Sequence, residues 1–136
     1  MSNLNETVKD IYRLTVMWVA TAANTLFGGT DGIFLTLIIF MSIDYITGVC
    51  AAIVNKQVSS RIGARGLAKK IGILCVVSLA TLIEKNVIDT TALRTAVILY
   101  YISNEGISIF ENITRIGVPV PQKLKELLGH LTDENS

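Results

Sequence analysis

Three charged side chains, Asp44, Arg94 and Glu105, lie within long apolar stretches of this sequence. Inserting an ionised group at the centre of a membrane helix costs about 3 kcal/mol, so such a group faces a partner or water rather than lipid. The chemistry that these residues could perform is therefore ion pairing or the lining of a polar opening. Asp44 fits two interpretations equally well: a contact that controls assembly, or a carboxyl group that only holds helices together.

The neighbours of these charges indicate how helices would meet. Gly48 and Ala52 follow Asp44 at intervals of one helical turn, and this row would let a second helix approach closely. The last apolar stretch carries a polar stripe at helical spacing, interrupted once by Ile98. Its members are Arg94, Tyr101, Glu105, Ser108 and Asn112, with Asn104 beside them. The stripe is either a seam within a helical bundle, which we favour slightly, or a surface hidden in one assembly state and wetted in another.

A catalytic, cofactor or metal site is not expected. His130, the only histidine, lies near the end of the chain, so no histidine among the apolar stretches could activate a nucleophile. Cys50 and Cys75 lie singly in apolar segments, which predicts small buried hydrophobic residues rather than a disulfide or a metal site. We predict that the protein is not an enzyme and has no nucleic-acid partner.

Charge is scarce in the chain as a whole. Of its 136 residues, 51% are hydrophobic and 17% are charged, whereas a soluble domain carries about 25% charged residues. The composition predicts an all-α integral membrane protein, a single domain over residues 1–136 with three to four transmembrane helices. We expect helices at about 11–27, 33–54, 68–88 and 92–113. The second is the clearest, because it is long enough to span a hydrocarbon core of about 30 Å.

Residues 55–70 form a basic segment, which we predict to be a cytoplasmic loop because basic residues in short loops stay inside. Its basic members are Lys56, Arg61, Arg65, Lys69 and Lys70, and it contains no acid. Lys69 and Lys70 can lie at the membrane interface. We interpret the basic segment as an orientation signal that contacts anionic lipid head groups, in preference to a site for a specific ligand. The spacing of Gly63 and Gly66 is too loose for a nucleotide-binding loop. This orientation places the C-terminus in the cytoplasm.

The first apolar stretch, Ile11–Phe27, could span the membrane or lie in the interface as an amphipathic helix. Only Gly28 to Gly32 separates it from the second stretch. We therefore favour a span that forms a tight helical hairpin with its neighbour. Four spans would place the N-terminus in the cytoplasm, whereas three would place it outside.

The end of the chain predicts a short amphipathic tail helix over residues 122–131. Pro119 and Pro121 must end the preceding helix, because proline lacks an amide donor and disfavours helix before it. Leucines then recur at helical spacing on one face, with charged residues on the other. The leucines are Leu124, Leu127, Leu128 and Leu131, and the polar face holds Lys123, Lys125, Glu126 and His130. Such a helix could lie on the inner leaflet or pack against the basic segment.

Several motifs, taken in order, resemble the phage-lysis and toxin-secretion holin family of Gram-positive bacteria and their phages. They are Asp44-Tyr45-Ile46-Thr47-Gly48, the segment from Ser59-Ser60 to Lys69-Lys70, Asn104-Glu105-Gly106-Ile107-Ser108-Ile109, Glu111-Asn112, and Gly117-Val118-Pro119-Val120-Pro121 with the following Lys123-Leu124-Lys125. The resemblance covers roughly residues 33–131.

This resemblance implies a multi-pass protein of the bacterial cytoplasmic membrane that associates with itself and with lipids. It also implies that the protein forms lesions in this membrane. The lesions would cause host-cell lysis by releasing a muralytic endolysin, which need not touch the protein, or would assist the exit of large toxins.

Two alternatives fit the composition. One is a small ion channel or transporter in which Asp44 and Glu105 bind a cation or proton. The other is a non-conducting membrane scaffold or an inhibitor of another holin.

Overall fold

The computed structural model describes residues 2–88, 90, 92–124 and 126. Four α-helices follow one another: α1 (Ser2–Phe27), α2 (Gly32–Val54), α3 (Ser60–Asn86) and α4 (Leu93–Ile116). The described part of the chain contains no strand, which confirms the all-α prediction. Residues 122–124 and 126 are helical, and the rest of the predicted tail helix lies outside the described residues.

Local signals set the ends of the helices. The Asp31 carboxylate accepts a hydrogen bond from the Phe34 amide at 3.0 Å and so caps the start of α2. Ser59 caps α3 in the same way, with its hydroxyl oxygen 3.2 Å from the Ile62 amide. At the end of α4, Gly117 adopts a left-handed φ of 99°, a conformation that a side chain would strain.

The core of the fold is the packing of α2, α3 and α4 around one another. The most extensive interface joins α2 to α4, and α3 packs mainly against α4. The buried apolar cluster draws on all three helices. It consists of Phe34, Leu37, Met41, Ile73, Val77, Ile98 and Ile102.

The basic segment is mostly helix, so the prediction of a loop over residues 55–70 is wrong. α3 begins at Ser60, and only residues 55–59 connect it to α2. Gly63 and Gly66 lie within this helix and face an aromatic ring. A Cβ atom at Gly63 or Gly66 would lie 3.5 Å from the hydroxyl or ring of Tyr45. These glycines therefore provide a surface on which Tyr45 of α2 packs.

The tight hairpin of the first two helices is also not formed. α1 starts at Ser2, earlier than predicted, and it packs on α3 rather than along α2. Lys85 near the end of α3 donates to the carbonyl oxygens of Asn24 and Thr25 at 3.5 Å. Gly28 and Gly29 adopt φ values of 74° and 106°, and this turn directs α1 away from α2.

Two helices, α2 and α3, are long and apolar enough to cross a membrane by length and composition. Spans by α1 and α4 stay predictions. Cys50 and Cys75 are exposed, so the prediction that both are buried is wrong. A helix that is apolar on all sides does not reveal from sequence which of its faces is covered.

Candidate functional site

Lys70 lies between two carboxylates in the interior of the bundle. Its ammonium group donates to Oδ2 of Asp44 on α2 and to Oε2 of Glu105 on α4. Glu105 is 0%, Lys70 7% and Asp44 9% exposed, so each charge has lost nearly all of its water. One cation therefore joins three helices, and the site depends on contacts between residues far apart in sequence.

Asn112 completes this group, which we call the lysine cluster (Asp44, Lys70, Glu105 and Asn112). Its amide nitrogen donates to Oδ1 of Asp44 at 3.1 Å and lies 3.3 Å from the hydroxyl of Thr47. A Cβ atom at Gly48 would lie 3.5 Å from the same nitrogen. Gly48 therefore faces α4 of the same chain, and the close helix approach expected from the small-residue row stays a prediction.

Lys69, the neighbour of Lys70, faces the surface. Its side chain is 55% exposed, and its ammonium nitrogen lies 3.4 Å from Oε1 of Glu105. That oxygen is buried and accepts no hydrogen bond from any described residue. Two carboxylates and two ammonium groups therefore balance in charge, but one side of Glu105 is held only by a longer-range attraction. The cluster is closed toward α2 and loosely partnered toward Lys69.

The energetics of the lysine cluster favour its loss as a whole when α4 separates from α2, rather than one contact at a time. Attraction between charges is several-fold stronger in a protein interior than in bulk water, because water screens charge and the interior does not. Removing one partner from a buried ion pair costs about 3–5 kcal/mol, since the other charge is left without compensation. Separating α4 from α2 in an apolar medium would expose several such charges at once, whereas water would solvate them.

Arg94 forms a second group, the arginine clasp (Arg94, Asp31 and the carbonyl groups of Phe27 and Gly29). Its guanidinium binds both carboxylate oxygens of Asp31, at 2.6 and 3.1 Å. It also donates to the carbonyl of Phe27 at 2.6 Å and to that of Gly29 at 3.2 Å. The clasp therefore ties the start of α4 to the turn between α1 and α2.

Two neighbours complete the surroundings of Arg94. The backbone amide of Arg94 donates to the Glu84 carboxylate at 2.8 Å, so α3 caps the first turn of α4. Gly28 leaves room for the guanidinium, because a Cβ atom there would lie 2.8 Å from Nε of Arg94. The hydrogen bond from Arg94 holds the pKa of Asp31 below its ordinary value, although partial burial acts in the opposite direction.

The predicted polar stripe of α4 is divided between these two groups. Glu105 and Asn112 belong to the lysine cluster, and Arg94 belongs to the clasp, with the buried Ile98 and Ile102 between them. Tyr101 is half-buried beside the apolar cluster. Asn104 is half-buried, and within the described residues its side chain joins neither polar group. In this structure, Arg94, Glu105 and Asn112 of the stripe therefore lie in a seam inside the chain.

Lys70 is the member of the site that the prediction misplaced, because it was expected at the membrane interface. A signal was present: Asp44 and Glu105 each needed a cation, and adjacent lysines on a helix point about 100° apart. One of the two could therefore face inward. Lys56, Arg61 and Arg65 are exposed and form no ion pair with any described residue. No group of described residues offers the three His, Cys, Asp or Glu ligands of a metal site.

Comparison with known proteins gives consistent matches over most of the chain. A sequence model described as the bacteriophage holin family matches residues 21–133. An uncharacterised protein of Clostridium perfringens (strain 13) is 38% identical over 126 residues, which are 91% of this chain and 93% of that protein. A probable holin of Bacillus phage phi105 is 36% identical over 111 residues, which are 81% of each chain. No solved structure matches the chain.

Proposed function

The chain belongs to the bacteriophage holin family, and we propose that it self-associates in the bacterial cytoplasmic membrane and forms lesions that release an endolysin. The observation that carries the mechanism is the lysine cluster. Buried charges that are satisfied within one chain can be kept out of lipid until the bundle opens. Once open, the same charges are well suited to line water. Direct contact with the endolysin is not needed.

In the proposed orientation, the basic start of α3 lies in the cytoplasm. Arg61 and Arg65 are exposed at this end of α3. This fits the rule that basic residues stay on the cytoplasmic side of the membrane. α2, α3 and α4 cross the membrane, and the C-terminus is cytoplasmic. Because Asp31, Lys85 and Arg94 lie at the opposite end of the bundle, the arginine clasp is on the outer side.

The proposed lesion forms when α4 exchanges its contacts with α2 for water. In the resting chain, Lys70 neutralises Asp44 and Glu105, and the apolar cluster separates these charges from the arginine clasp. Crowding of chains lets the polar faces of several α4 helices meet around a shared aqueous space. Each charged group then loses its protein partner and gains water, and this solvation lowers the free-energy cost of separating α4 from α2.

The ion-channel alternative is less well supported by the geometry. It requires Asp44 and Glu105 to bind a transported cation or proton, but Lys70 already lies between the two carboxylates. A small cation would have to displace an ammonium group that is attached to the chain. Among the described residues, Oε1 of Glu105 is the one buried side-chain oxygen without a hydrogen-bond donor, and Lys69 lies beside it.

The experiment that tests the proposal is controlled expression in a bacterium, with membrane potential and release of a folded cytoplasmic reporter enzyme recorded together. A lesion-forming holin gives sudden depolarisation and escape of the enzyme after a delay. Depolarisation without enzyme escape would indicate a small pore or an ion channel. A membrane that stays polarised at high expression would contradict lesion formation and favour the scaffold or inhibitor alternative.

A further inference from the structure

Most of α1 is not covered by another helix in the described part of the chain. Residues 4–22 are exposed along their whole length, a segment of about 28 Å at 1.5 Å per residue. Large apolar side chains are among the most exposed in the molecule, with Leu4 at 70% and Trp18 at 76%. A bare helix of this composition must be covered in the cell, and its two faces indicate what covers it.

The four charged residues of α1 lie on the side opposite one row of apolar residues. Glu6, Lys9, Asp10 and Arg13 follow one another at intervals of three, one and three residues, which places all four on one side of the helix. Two are acidic and two are basic, and Glu6 pairs with Lys9 at 2.9 Å. The opposite side presents an apolar row at intervals of four, three, seven and four residues. It consists of Leu4, Val8, Ile11, Trp18 and Ala22.

The C-terminal end of α1 is fixed to the outer end of the bundle. Arg94 binds the Phe27 carbonyl, Lys85 donates to Asn24, and the ring of Phe27 stacks on Phe34 with centroids 5.0 Å apart. The turn at Gly28 is shaped around the arginine clasp. α1 is therefore attached to the bundle at the end opposite the basic end of α3.

From this arrangement we propose that α1 lies along the outer leaflet of the cytoplasmic membrane, with its apolar row in lipid and its charged face in water. The partner is the phospholipid interface, which such two-faced helices bind. Only α2, α3 and α4 then cross the membrane, and the N-terminus is outside. The choice of the outer leaflet rests on the orientation in the proposed function. The position of α1 at the membrane interface does not depend on lesion formation.

A span by α1 fits the residues less well. Between Arg13 and the end of the helix at Phe27 lie 14 residues without charge, about 21 Å of helix. The hydrocarbon core is about 30 Å thick, so a span would draw the four charges toward lipid. These four side chains are exposed, and among the described residues the ion pair that they form is the local one between Glu6 and Lys9. At the interface the same charges meet water.

The test is cysteine labelling in spheroplasts, at expression levels where no reporter enzyme has escaped. Cys50 and Cys75 are replaced by serine, and single cysteines are introduced as Lys9→Cys on the charged face and Val8→Cys on the apolar face. A membrane-impermeant maleimide is added outside. We expect rapid labelling of Lys9→Cys and at least about tenfold slower labelling of Val8→Cys. Asp10→Cys and Ile11→Cys form a second pair if either change prevents insertion.

Three results would overturn the inference. Labelling of the charged face only after permeabilisation would mean that α1 spans the membrane. No labelling there even after permeabilisation would mean that this face is buried. Equal labelling of both faces from outside would mean that α1 does not lie in lipid. Arg61→Cys is the orientation control. Labelling of this variant from outside would contradict the orientation in the proposed function. If Arg61→Cys is protected, the other labelling results test the position of α1 alone.

Discussion

Lys70 and Glu105, which are 35 positions apart in the sequence, form a buried ion pair between α3 and α4. Asp44 of α2 binds the same ammonium group. The three helices that carry the apolar core are therefore also joined by a shared charge. This arrangement relates stability of the resting chain to its function, because the residues that hold the bundle together are those that could line water when it opens.

Replacing Lys70 with methionine should destabilise the resting bundle strongly. Two buried carboxylates would lose their shared cation, a change that costs about 3–5 kcal/mol. Thermal unfolding of the purified protein in detergent measures the effect as a lower midpoint temperature. The control is Lys69→Met, because that side chain is 55% exposed and should contribute little. Equal destabilisation by the two changes would contradict the central position of Lys70.

A combined variant separates loss of the cation from loss of packing. Asp44→Asn, Lys70→Met and Glu105→Gln together remove every charge from the lysine cluster while nearly preserving side-chain volume. Much of the stability lost in Lys70→Met should return, since uncharged side chains leave no ion unpaired. Thermal unfolding in the same detergent compares the two variants. A triple variant less stable than Lys70→Met would show that uncompensated charge is not the main cost.

Replacing Glu105 or Arg94 with leucine should change the time at which cells lyse or abolish lysis. Glu105→Leu removes an acceptor of Lys70, and Arg94→Leu releases the turn between α1 and α2. Lysis is followed by optical density after induction, with protein amounts matched by immunoblot. Unchanged timing in both variants would count against a role of the two polar groups in triggering.

The glycine turn offers a test of the arginine clasp. In Gly28→Ala the new Cβ atom would lie 2.8 Å from Nε of Arg94 at a φ of +74°, and a left-handed conformation alone costs about 1–2 kcal/mol. We expect a lower unfolding temperature in detergent. Gly117→Ala is a matched control, because Gly117 also has a left-handed φ of +99° but a Cβ atom there meets nothing within 4 Å. A Gly28→Ala protein as stable as Gly117→Ala would argue against the clasp.

Asp31 predicts a specific dependence of stability on acidity. Its pKa is lowered below 3.8 in the folded chain, mainly by the hydrogen bond from Arg94. A lowered pKa stabilises the fold above the unfolded pKa, and this stabilisation is lost as pH falls through the folded value. Asp31→Asn retains a helix cap but cannot titrate. The stability difference between the wild type and this variant should therefore shrink below about pH 4; a difference independent of pH between 2 and 6 would contradict the clasp.

The sequence predicted the helical class and the residues of the polar seam because both depend on local pattern. α2 carries a single charged residue, Asp44, among its 23 residues, and the helical spacing of Glu105 and Asn112 already placed them on one face. The inward position of Lys70 was missed because a lysine beside an apolar run is equally compatible with the interface. Its burial follows from Asp44 and Glu105, which only the tertiary fold brings together.

The course of α1 was misjudged for a related reason. A short link between two apolar stretches suggests a hairpin, but the direction of the chain depends on the φ values of Gly28 and Gly29 and on the four hydrogen bonds of Arg94. Those interactions join residues more than sixty positions apart. Local propensity cannot specify them.

The most direct test of the central claim is the labelling of a cysteine in the seam between α2 and α4 before and after lesions form. Gly48→Cys, in a chain without Cys50 and Cys75, would face Asn112. With a water-soluble maleimide, we predict little labelling while a cytoplasmic reporter enzyme is retained and a severalfold increase once it escapes. The same slow labelling in both states, despite escape of the enzyme, would contradict the opening of the lysine cluster to water.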